Sequence, residues 1–146
     1  MNVAFRCDCP FTSAIDLIGD RWTLVIVKQM LLEDKKTFKD FVRSNEAIAS
    51  NILSDRLKML EAFQLIKKEK FPNNKKINIY RLTEKGLGLT PVLVELGLWS
   101  NAHLREFNPE IMISDQLTHE AKEDFIKTII ANYQAKVNAD TLAVAK

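Results

Sequence analysis

The feature that most constrains the fold is a two-faced helical segment at residues 49–63. With successive residues placed 100° apart, one stripe of this helix is apolar and the opposite side is polar. The apolar stripe consists of Ala49, Leu53, Leu57 and Leu60. The polar side consists of Asn51, Ser54, Asp55 and Lys58. Such a helix packs on a core with one face and presents hydrogen-bonding groups on the other.

A β-hairpin is expected immediately after this helix. Residues 65–71 and 77–82 have the composition of strands. The connector, residues 72–76, is rich in turn-forming residues and ends in Lys75 and Lys76. We therefore predict a hairpin with a basic tip.

Three helices are predicted before the two-faced segment. Pro10 opens the first, which ends at Gly19. Asp20 is expected to cap the second, whose apolar residues crowd nearly every face. Thr37 is expected to cap a brief third helix. The chain is therefore mainly α-helical with one small hairpin.

Two helical regions are predicted after the hairpin. Pro91 delays or kinks a helical run over residues 83–107, and residues 118–139 form a last amphipathic helix. Both regions carry apolar surfaces that a small domain cannot bury alone, so we expect them to form a homodimer interface. These surfaces are Leu93, Leu96 and Trp99, and Phe125, Ile129 and Tyr133.

The composition is that of one globular domain. A chain of 146 residues with 47% hydrophobic residues can build a substantial core, which excludes disordered and disulfide-scaffold classes. No stretch approaches the ~20 apolar residues that span a bilayer, and residues 1–9 lack an apolar signal core. We therefore expect a cytoplasmic protein with no membrane partner.

Catalytic and metal-binding chemistry is weakly supported. The two thiols, Cys7 and Cys9, have only His103 and His119 as further soft ligands, far away in sequence. No Ser, Cys or His lies in a glycine elbow, and the four glycines form no phosphate-binding loop. We expect no catalytic residue, no metal and no cofactor.

The charge distribution points to a polyanionic partner. The net charge is only +2, but residues 20–85 contain fifteen basic and nine acidic residues, whereas residues 86–146 contain five basic and eight acidic residues. Duplex DNA carries one negative charge per ~1.7 Å of its axis. The order of helix, turn, outward-polar helix and basic hairpin is that of a winged helix-turn-helix, whose second helix enters the major groove.

A set of short motifs supports the same interpretation. They are Cys9-Pro10, IDLIGDRW at 15–22, FKDF at 38–41, ILSDRLKMLE at 52–61 and YRLTEKG at 80–86. Together they resemble the HxlR family of bacterial transcription regulators, relatives of the MarR group. The resemblance extends from Cys9 to about Phe107 and implies a dimeric winged-helix DNA-binding protein, often a repressor.

The chain departs from the family pattern in three places. A glycine usually follows the recognition helix, whereas this chain has Gln64, which either adopts a left-handed conformation at a cost of about 1 kcal/mol or ends the helix differently. The hairpin tip at 72–76 also differs. Residues beyond 107 exceed the family core. We therefore predict a winged-helix domain with dimerisation helices at 1–107, and a helical dimerisation extension at 108–146.

The residues expected to contact DNA are polar and lie on a helix or at the hairpin tip. They are Thr37, Ser50, Asn51, Ser54, Asp55, Lys58, Lys75 and Lys76. Asn and Ser suit base edges and phosphates, and Asp55 could accept from a cytosine amino group. The alternative is an ordinary solvated surface. Arg56 flanks the apolar stripe, where it could pair with an acid or a phosphate, and is left out.

Cys9 is the residue whose side chain is most suited to a covalent reaction. Its thiol precedes the first helix, where the helix dipole and nearby Arg6 could lower the thiol pKa. The resemblance implies a sensor role, because some family members detect oxidants or electrophiles with an N-terminal cysteine. A small, inert, buried thiol is the alternative, and Cys7 is a candidate accessory thiol.

The expected function is that of a sequence-specific transcription regulator, a repressor, which binds a double-stranded DNA operator as a homodimer. The sequence does not identify its effector, and an oxidant or an electrophile is one candidate. One alternative is a thiol-based redox or electrophile sensor that uses Cys9. Another is a winged-helix protein-interaction module that binds no DNA. An enzyme with Cys9 as nucleophile ranks last, since no histidine lies near it in sequence.

Overall fold

The computed structural model describes residues 3–112 and 116–144. In chain order its elements are α1 (Pro10–Ile18), α2 (Thr23–Glu33), α3 (Phe38–Val42), α4 (Ser50–Ala62), β1 (Ile66–Phe71), β2 (Asn74–Leu82), α5 (Glu84–Leu87), α6 (Thr90–His103) and α7 (Lys122–Val144). The chain forms two compact units, Met1–Gly86 and Leu87–Lys146. The mainly helical winged-helix fold is confirmed, and the functional boundary at residue 107 stays a prediction.

The start of α2 differs from the prediction. Asp20 was expected to precede the helix directly, but α2 begins at Thr23. The Asp20 carboxylate reaches forward and accepts from the main-chain N–H groups of Trp22 (2.9 Å) and Thr23 (3.0 Å). Because the side chain satisfies these N–H groups from two and three residues away, the chain makes a turn before the helix begins.

α3 is capped as predicted and is tied to the hairpin. Asp40 N–H donates to the Thr37 hydroxyl at 3.1 Å, and Thr37 N–H donates to the Asp40 carboxylate at 3.0 Å, which completes a capping box. Thr37 also forms a bridge with Ile79 of β2, and Tyr80 N–H donates to the Lys36 carbonyl at 2.8 Å. These backbone bonds hold β2 against the segment that leads into α3.

α4 packs through the predicted stripe with one exception. Leu53, Leu57 and Leu60 are buried, together with Met59, whereas Ala49 at the N-cap is exposed. Ala49 precedes the first helical turn, so its side chain is not carried onto the buried face.

Of the two predicted ways to end α4, a left-handed Gln64 or a different helix end, the structure shows the first. Gln64 adopts φ 64°, the left-handed conformation. Its N–H donates to the Glu61 carbonyl (3.0 Å), and Leu65 N–H donates to the Leu60 carbonyl (2.9 Å). This pair of hydrogen bonds is a Schellman motif, which turns the chain from α4 into β1.

The hairpin is present, but its connector is shorter than predicted. The turn comprises Pro72 and Asn73, and β2 already begins at Asn74. The register shifts after Lys70, which pairs with Asn78, while Phe71 pairs with Asn74. Lys75, Lys76 and Ile77 therefore stand in a bulge of β2. Placing Lys75 and Lys76 in the loop was wrong, because the bulge absorbs these residues into the strand.

The link after the hairpin begins with a hydroxyl cap. The Thr83 hydroxyl accepts from Gly86 N–H at 3.1 Å and donates to the Gln64 carbonyl at 2.6 Å. A Cβ on Gly86 would lie 2.1 Å from the Leu65 carbonyl oxygen, so only glycine fits this close approach.

In the second unit, α6 begins at Thr90 with Pro91 in its first turn, so the proline delays the helix and does not kink it. The helix ends at His103, short of the predicted residue 107. α7 begins at Lys122, four residues later than predicted, because Thr118 caps the preceding turn by accepting from Ala121 N–H at 3.1 Å.

α7 packs on α6 within the same unit. Lys122 pairs with Glu95 at 2.8 Å, and Ile129 and Tyr133 are buried. Ile129 and Tyr133 were predicted to form an exposed apolar surface, but they are buried within their own chain. Trp99, by contrast, is 56% exposed. The dimerisation role of residues 108–146 stays a prediction.

Candidate nucleic-acid interface

The polar side of α4 is open. Ser50, Asn51, Asp55 and Lys58 are exposed and Ser54 is half-buried, while the opposite stripe lies in the core. The helix therefore presents a hydrogen-bonding face, as predicted. Contact of these side chains with DNA stays a prediction.

A buried polar network fixes the turn that leads into α4. The fully buried Gln29 donates through Nε2 to Ser44 Oγ (2.9 Å) and to the Glu46 carboxylate (2.8 Å). Lys28 pairs with Glu46 and with Glu33. The sequence reasoning missed this network, although a glutamine among the apolar residues of α2 was a signal for it, because buried amides are hydrogen-bonded.

The charges of this network stabilise its closed arrangement. The hydrogen bond from Lys28 is the main cause that lowers the pKa of Glu46; burial opposes it, and the hydrogen bond from Gln29 lowers this pKa further. Burial alone would lower the pKa of Lys28, but Glu33 and Glu46 outweigh it and raise this pKa. The turn is thus tied to α2 by ionised groups at neutral pH.

Thr37 has a structural role. Its hydroxyl accepts the Asp40 N–H of the capping box, and the side chain is half-buried. Partial burial would raise the pKa of Asp40, but the N–H groups of Lys36 and Thr37 outweigh it, so this pKa is lowered. DNA contact by Thr37 stays a prediction, since the hydroxyl hydrogen is still available to a phosphate.

The hairpin supplies exposed positive charge. Lys75 and Lys76 are exposed in the bulge of β2, and within residues 3–112 and 116–144 neither forms an ion pair. Lys76 N–H donates to the Asn74 side chain at 3.1 Å, which shapes the start of the strand. Both ammonium groups are free to meet an anion.

Two further cations, one on α3 and one at its C-cap, were missed. Lys39 and Arg43 are exposed one helical turn apart, and neither forms an ion pair with any described carboxylate. Their spacing of four residues was a signal, because it places both side chains on one face of α3. Together with Ser50 and Lys76 they border one hollow of the first unit.

Arg56 pairs with acids. Its guanidinium lies 3.1 Å from the Asp20 carboxylate and 3.5 Å from the Asp55 carboxylate. Partial burial would raise the pKa of Asp20, but hydrogen bonds from Thr23 and Trp22 and the charge of Arg56 keep it lowered. Of the two partners considered for Arg56, the structure shows the acid.

Cys9 is the N-cap residue of α1 and is half-buried, whereas Cys7 is exposed. The Thr12 N–H, the Thr12 hydroxyl and the Phe11 N–H lower the pKa of the Cys9 thiol, in that order of importance. Arg6 is not a cause, because it pairs with Asp16 at 2.6 Å. The expected lowering is present, and it arises from main-chain N–H groups and a hydroxyl in the first turn of α1.

Within the described part of the chain, no group of three or more His, Cys, Asp or Glu side chains is arranged to hold a metal ion. No helix in the same part is long and apolar enough to cross a membrane.

Comparisons with known proteins agree with this geometry. A profile of HxlR-like helix-turn-helix domains matches residues 17–108. The HTH-type transcriptional regulator YodB of Bacillus subtilis is 34% identical over 94 residues, which cover 64% of this chain and 83% of YodB.

Solved structures extend the similarity. The reduced form of YodB from B. subtilis aligns with a TM-score of 0.53 and 32% identity over 66% of this chain and 95% of that chain. Quinone-bound YodB aligns with a TM-score of 0.53 and 31% identity over 64% of this chain and 99% of that chain. The redox regulator HypR in its oxidised form aligns with a TM-score of 0.57 and 27% identity over 65% of this chain and 97% of that chain.

The profile match includes α2, α3, α4 and both strands of the hairpin, which are the parts that form the open polar face and the basic tip. The matched residues make up more than half of the chain. The chain therefore belongs to the HxlR family of DNA-binding transcriptional regulators.

Proposed function

We propose that this regulator is a homodimeric repressor in the cytoplasm that binds a specific operator through α4 and the hairpin. The observation that carries the proposal is the exposed polar face of α4 beside a hairpin whose Lys75 and Lys76 have no ion-pair partner among the described residues. An anionic, hydrogen-bonding surface such as duplex DNA complements both features.

Each part of the surface has a separate task. Asn51 and Ser54 contact base edges, and Asp55 accepts from a cytosine amino group once it is released from Arg56. The remaining residues, Thr37, Ser50, Lys58, Lys75 and Lys76, contact phosphates and set the position of α4 in the groove. Lys75 and Lys76 could also enter the minor groove.

Dimerisation supplies the second half-site. One α4 helix contacts few bases, so two copies about 34 Å apart would gain specificity by contacting adjacent major grooves. We assign the DNA-binding unit with dimerisation helices to residues 1–107, and a helical extension that also serves dimerisation to residues 108–146.

Selection of bound fragments from the source genome tests the proposal. We expect enrichment of duplexes with two related half-sites. Asn51→Ala should then change discrimination among operator variants by about 1 to 3 kcal/mol, because a base contact is lost. Lys136→Ala on α7 is the control and should leave discrimination unchanged. Failure to enrich any duplex would favour the protein-interaction module.

A second candidate function is thiol-based sensing. The lowered pKa of Cys9 at the start of α1 increases its reactive thiolate fraction. Among the relatives, YodB has been solved in a quinone-bound form and the redox regulator HypR in an oxidised form. We propose that Cys9 reacts with an oxidant or electrophile and thereby changes operator affinity.

Operator binding before and after treatment with benzoquinone tests this role. The wild type and Cys7→Ser should change affinity by roughly 5- to 150-fold, the usual range of such coupling, whereas Cys9→Ser should not respond. A response that survives in Cys9→Ser and disappears in Cys7→Ser would assign the sensor to Cys7. An unresponsive wild type would make Cys9 a packing thiol.

A further inference from the structure

The segment between α3 and α4 has little hold of its own on the start of α4. Ala49 is the N-cap residue, and its side chain makes no capping hydrogen bond. Alanine is a poor residue at this position, because it offers no acceptor to the free N–H groups of the first helical turn. Ala47 adopts φ 55°, a left-handed conformation that costs free energy in a residue with a Cβ. The position of the first turn of α4 therefore depends on contacts from outside this segment.

Those contacts come from α2 through four residues that we call the turn network: Lys28, Gln29, Ser44 and Glu46. Gln29 donates through Nε2 to Ser44 Oγ at 2.9 Å and to the Glu46 carboxylate at 2.8 Å. Lys28 pairs with the same carboxylate. Two neighbouring residues of α2 thus hold the turn immediately before the strained Ala47.

The turn network is retained at a cost in stability. Gln29 is fully buried in α2. Because a carboxylate only accepts hydrogen bonds, the amide must face Glu46 with its NH2 group. The Gln29 Oε1 is consequently left buried, and no described residue donates to it. A buried acceptor without a donor lowers stability, so an apolar side chain would suit this position better if stability alone mattered.

Apolar packing cannot do what the turn network does. Ile48 and Leu53 are buried on either side of the start of α4 and keep this end of the helix against the core. Hydrophobic contacts are non-directional, so they tolerate small rotations and shifts of a helix. Hydrogen bonds weaken steeply when they are misaligned, so the turn network favours one arrangement of the helix start.

We propose that Gln29 and Glu46 are positioning residues for operator recognition. They hold the first turn of α4 at the angle at which Asn51 and Ser54 meet base edges. Gln29 is buried and Glu46 is an anion, so neither is suited to contact a phosphate itself. The inference rests on the proposed function, because the base contacts of α4 belong to it. A displaced helix start should weaken aligned base contacts more than long-range attraction to phosphates.

Hydrogen exchange of the full chain without DNA tests the positioning. Gln29→Met removes the two donated hydrogen bonds at nearly constant volume. The Leu53 N–H donates to the Ala49 carbonyl at 2.9 Å at the start of α4, and the Phe63 N–H donates to the Met59 carbonyl at 3.0 Å at its end. We expect exchange to be faster by about fivefold or more at the first amide and unchanged at the second. An unchanged rate at the first amide, or an equal acceleration at both, would overturn the positioning.

DNA binding tests the consequence for recognition. The probes are a duplex obtained by genomic selection, its single-base variants and an unrelated duplex. We expect Gln29→Met to lose discrimination among the first two by about fivefold or more, while affinity for the unrelated duplex changes by less than about twofold. Gln134→Met, on an exposed residue of α7, is the matched control and should keep the wild-type discrimination. Equal losses of affinity for every duplex would overturn the inference.

Ser44→Ala replaces Gln29→Met if circular dichroism shows that the latter is unfolded. It removes one of the two acceptors of Gln29, so the same changes in exchange and discrimination are expected at a smaller size. Wild-type exchange and discrimination in a folded Ser44→Ala would overturn the inference in the same way.

A double variant tests whether the residues act as one unit. Glu46→Ala removes the acceptor that Gln29 and Lys28 share, so it should lose at least as much discrimination as Gln29→Met. The two changes combined should lose clearly less than the product of the single losses, because both remove the same contact. Losses that multiply would overturn the common action of Gln29 and Glu46.

The wild type separates failure of this inference from failure of the proposed function. A wild type that binds every duplex equally would overturn both. A wild type that discriminates among duplexes, together with a Gln29→Met variant that discriminates equally well, would overturn the positioning role alone and leave the proposed function standing.

Discussion

Gln64 is one of three non-glycine residues with a left-handed backbone in the described part of the chain, together with Asp34 and Ala47, and it lies where the family usually has a glycine. A side chain in the left-handed region brings Cβ close to the following carbonyl, which is why glycine is favoured at this position after a helix. The Schellman hydrogen bonds to the Glu61 and Leu60 carbonyls hold the conformation despite this cost. The strain is small and local.

Replacement of Gln64 by glycine should stabilise the protein. We expect Gln64→Gly to raise the free energy of unfolding by about 0.5 to 1 kcal/mol, because the left-handed conformation no longer opposes a Cβ. Urea denaturation followed by circular dichroism measures the change. Ala62→Gly, two residues earlier and helical, is the control and should lower the stability by a similar amount. A stability loss in Gln64→Gly would refute the strain.

At the scale of elements, α3 shows how a helix of five residues is kept in place. It is too short to be stable by its own hydrogen bonds, so its capping box and its buried Phe41 must hold it. The Asp40 carboxylate accepts from the N–H groups of both Lys36 and Thr37. α3 in turn carries the exposed Lys39 and is followed by the exposed Arg43 at its C-cap.

The loss of stability caused by removing this cap should depend on pH. We expect Asp40→Ala to lower the free energy of unfolding by about 1 kcal/mol at pH 7. The pKa of Asp40 is lowered in the folded state, so its contribution is present above its ordinary pKa and is lost as the pH falls through the lower folded value. The two proteins should therefore converge in stability from about pH 4 downward.

Urea denaturation at several pH values measures this convergence. Glu110→Ala, on an exposed residue between α6 and α7, is the control and should show a difference from the wild type that is small at every pH. A stability gap for Asp40→Ala that stays constant from neutral to acidic pH would contradict the ionised cap.

The elements that could be predicted from the sequence are those with one buried face or a clear cap. The stripe of α4, the cap at Thr37 and the proline-delayed start of α6 were all readable, because periodicity and capping chemistry act within a few residues. The bulge that absorbs Lys75 and Lys76 could not be predicted, since the pairing of β1 with β2 is set by contacts between the strands and not by local sequence. The burial of Ile129 and Tyr133 depends on α7 folding onto α6, which local pattern does not reveal.

The candidate site was predictable to the same extent. Exposure of the polar side of α4 followed from its periodicity. Lys39 and Arg43 form a cationic group only because β2 brings Lys76 to the same hollow. The Gln29 network forms only because the turn after α3 folds back on α2. These are long-range arrangements that chain order does not contain.

At the scale of the whole molecule, apolar surface is left over on two helices. Val92, Leu96 and Trp99 lie on one stripe of α6 and are 39%, 46% and 56% exposed. On α1 no described residue is buried, and Phe11 and Ile15 are 79% and 59% exposed. Surfaces of this kind are covered by a partner in most soluble proteins.

We expect the exposed stripe of α6 to form a homodimer interface at micromolar concentration. Sedimentation should give twice the mass of one chain for the wild type, and Leu96→Glu with Trp99→Glu should shift it towards the monomer, because two charges would have to be buried at the interface. Leu32→Glu on α2 is the control and should leave the mass unchanged. A monomeric wild type would contradict the dimer.

The central claim is that α4 and the hairpin bind DNA, and the salt dependence of affinity tests it most directly. The affinity for one duplex is measured across a range of salt concentrations for the wild type, for Lys75→Ala with Lys76→Ala, and for the control Lys127→Ala with Lys136→Ala on α7. We predict that the hairpin pair weakens binding and makes the slope of log affinity against log salt shallower by up to ~2, since each lost phosphate contact releases about one counterion fewer. The control pair should retain the wild-type slope. An unchanged slope in the hairpin pair, or an equal change in both pairs, would contradict the account.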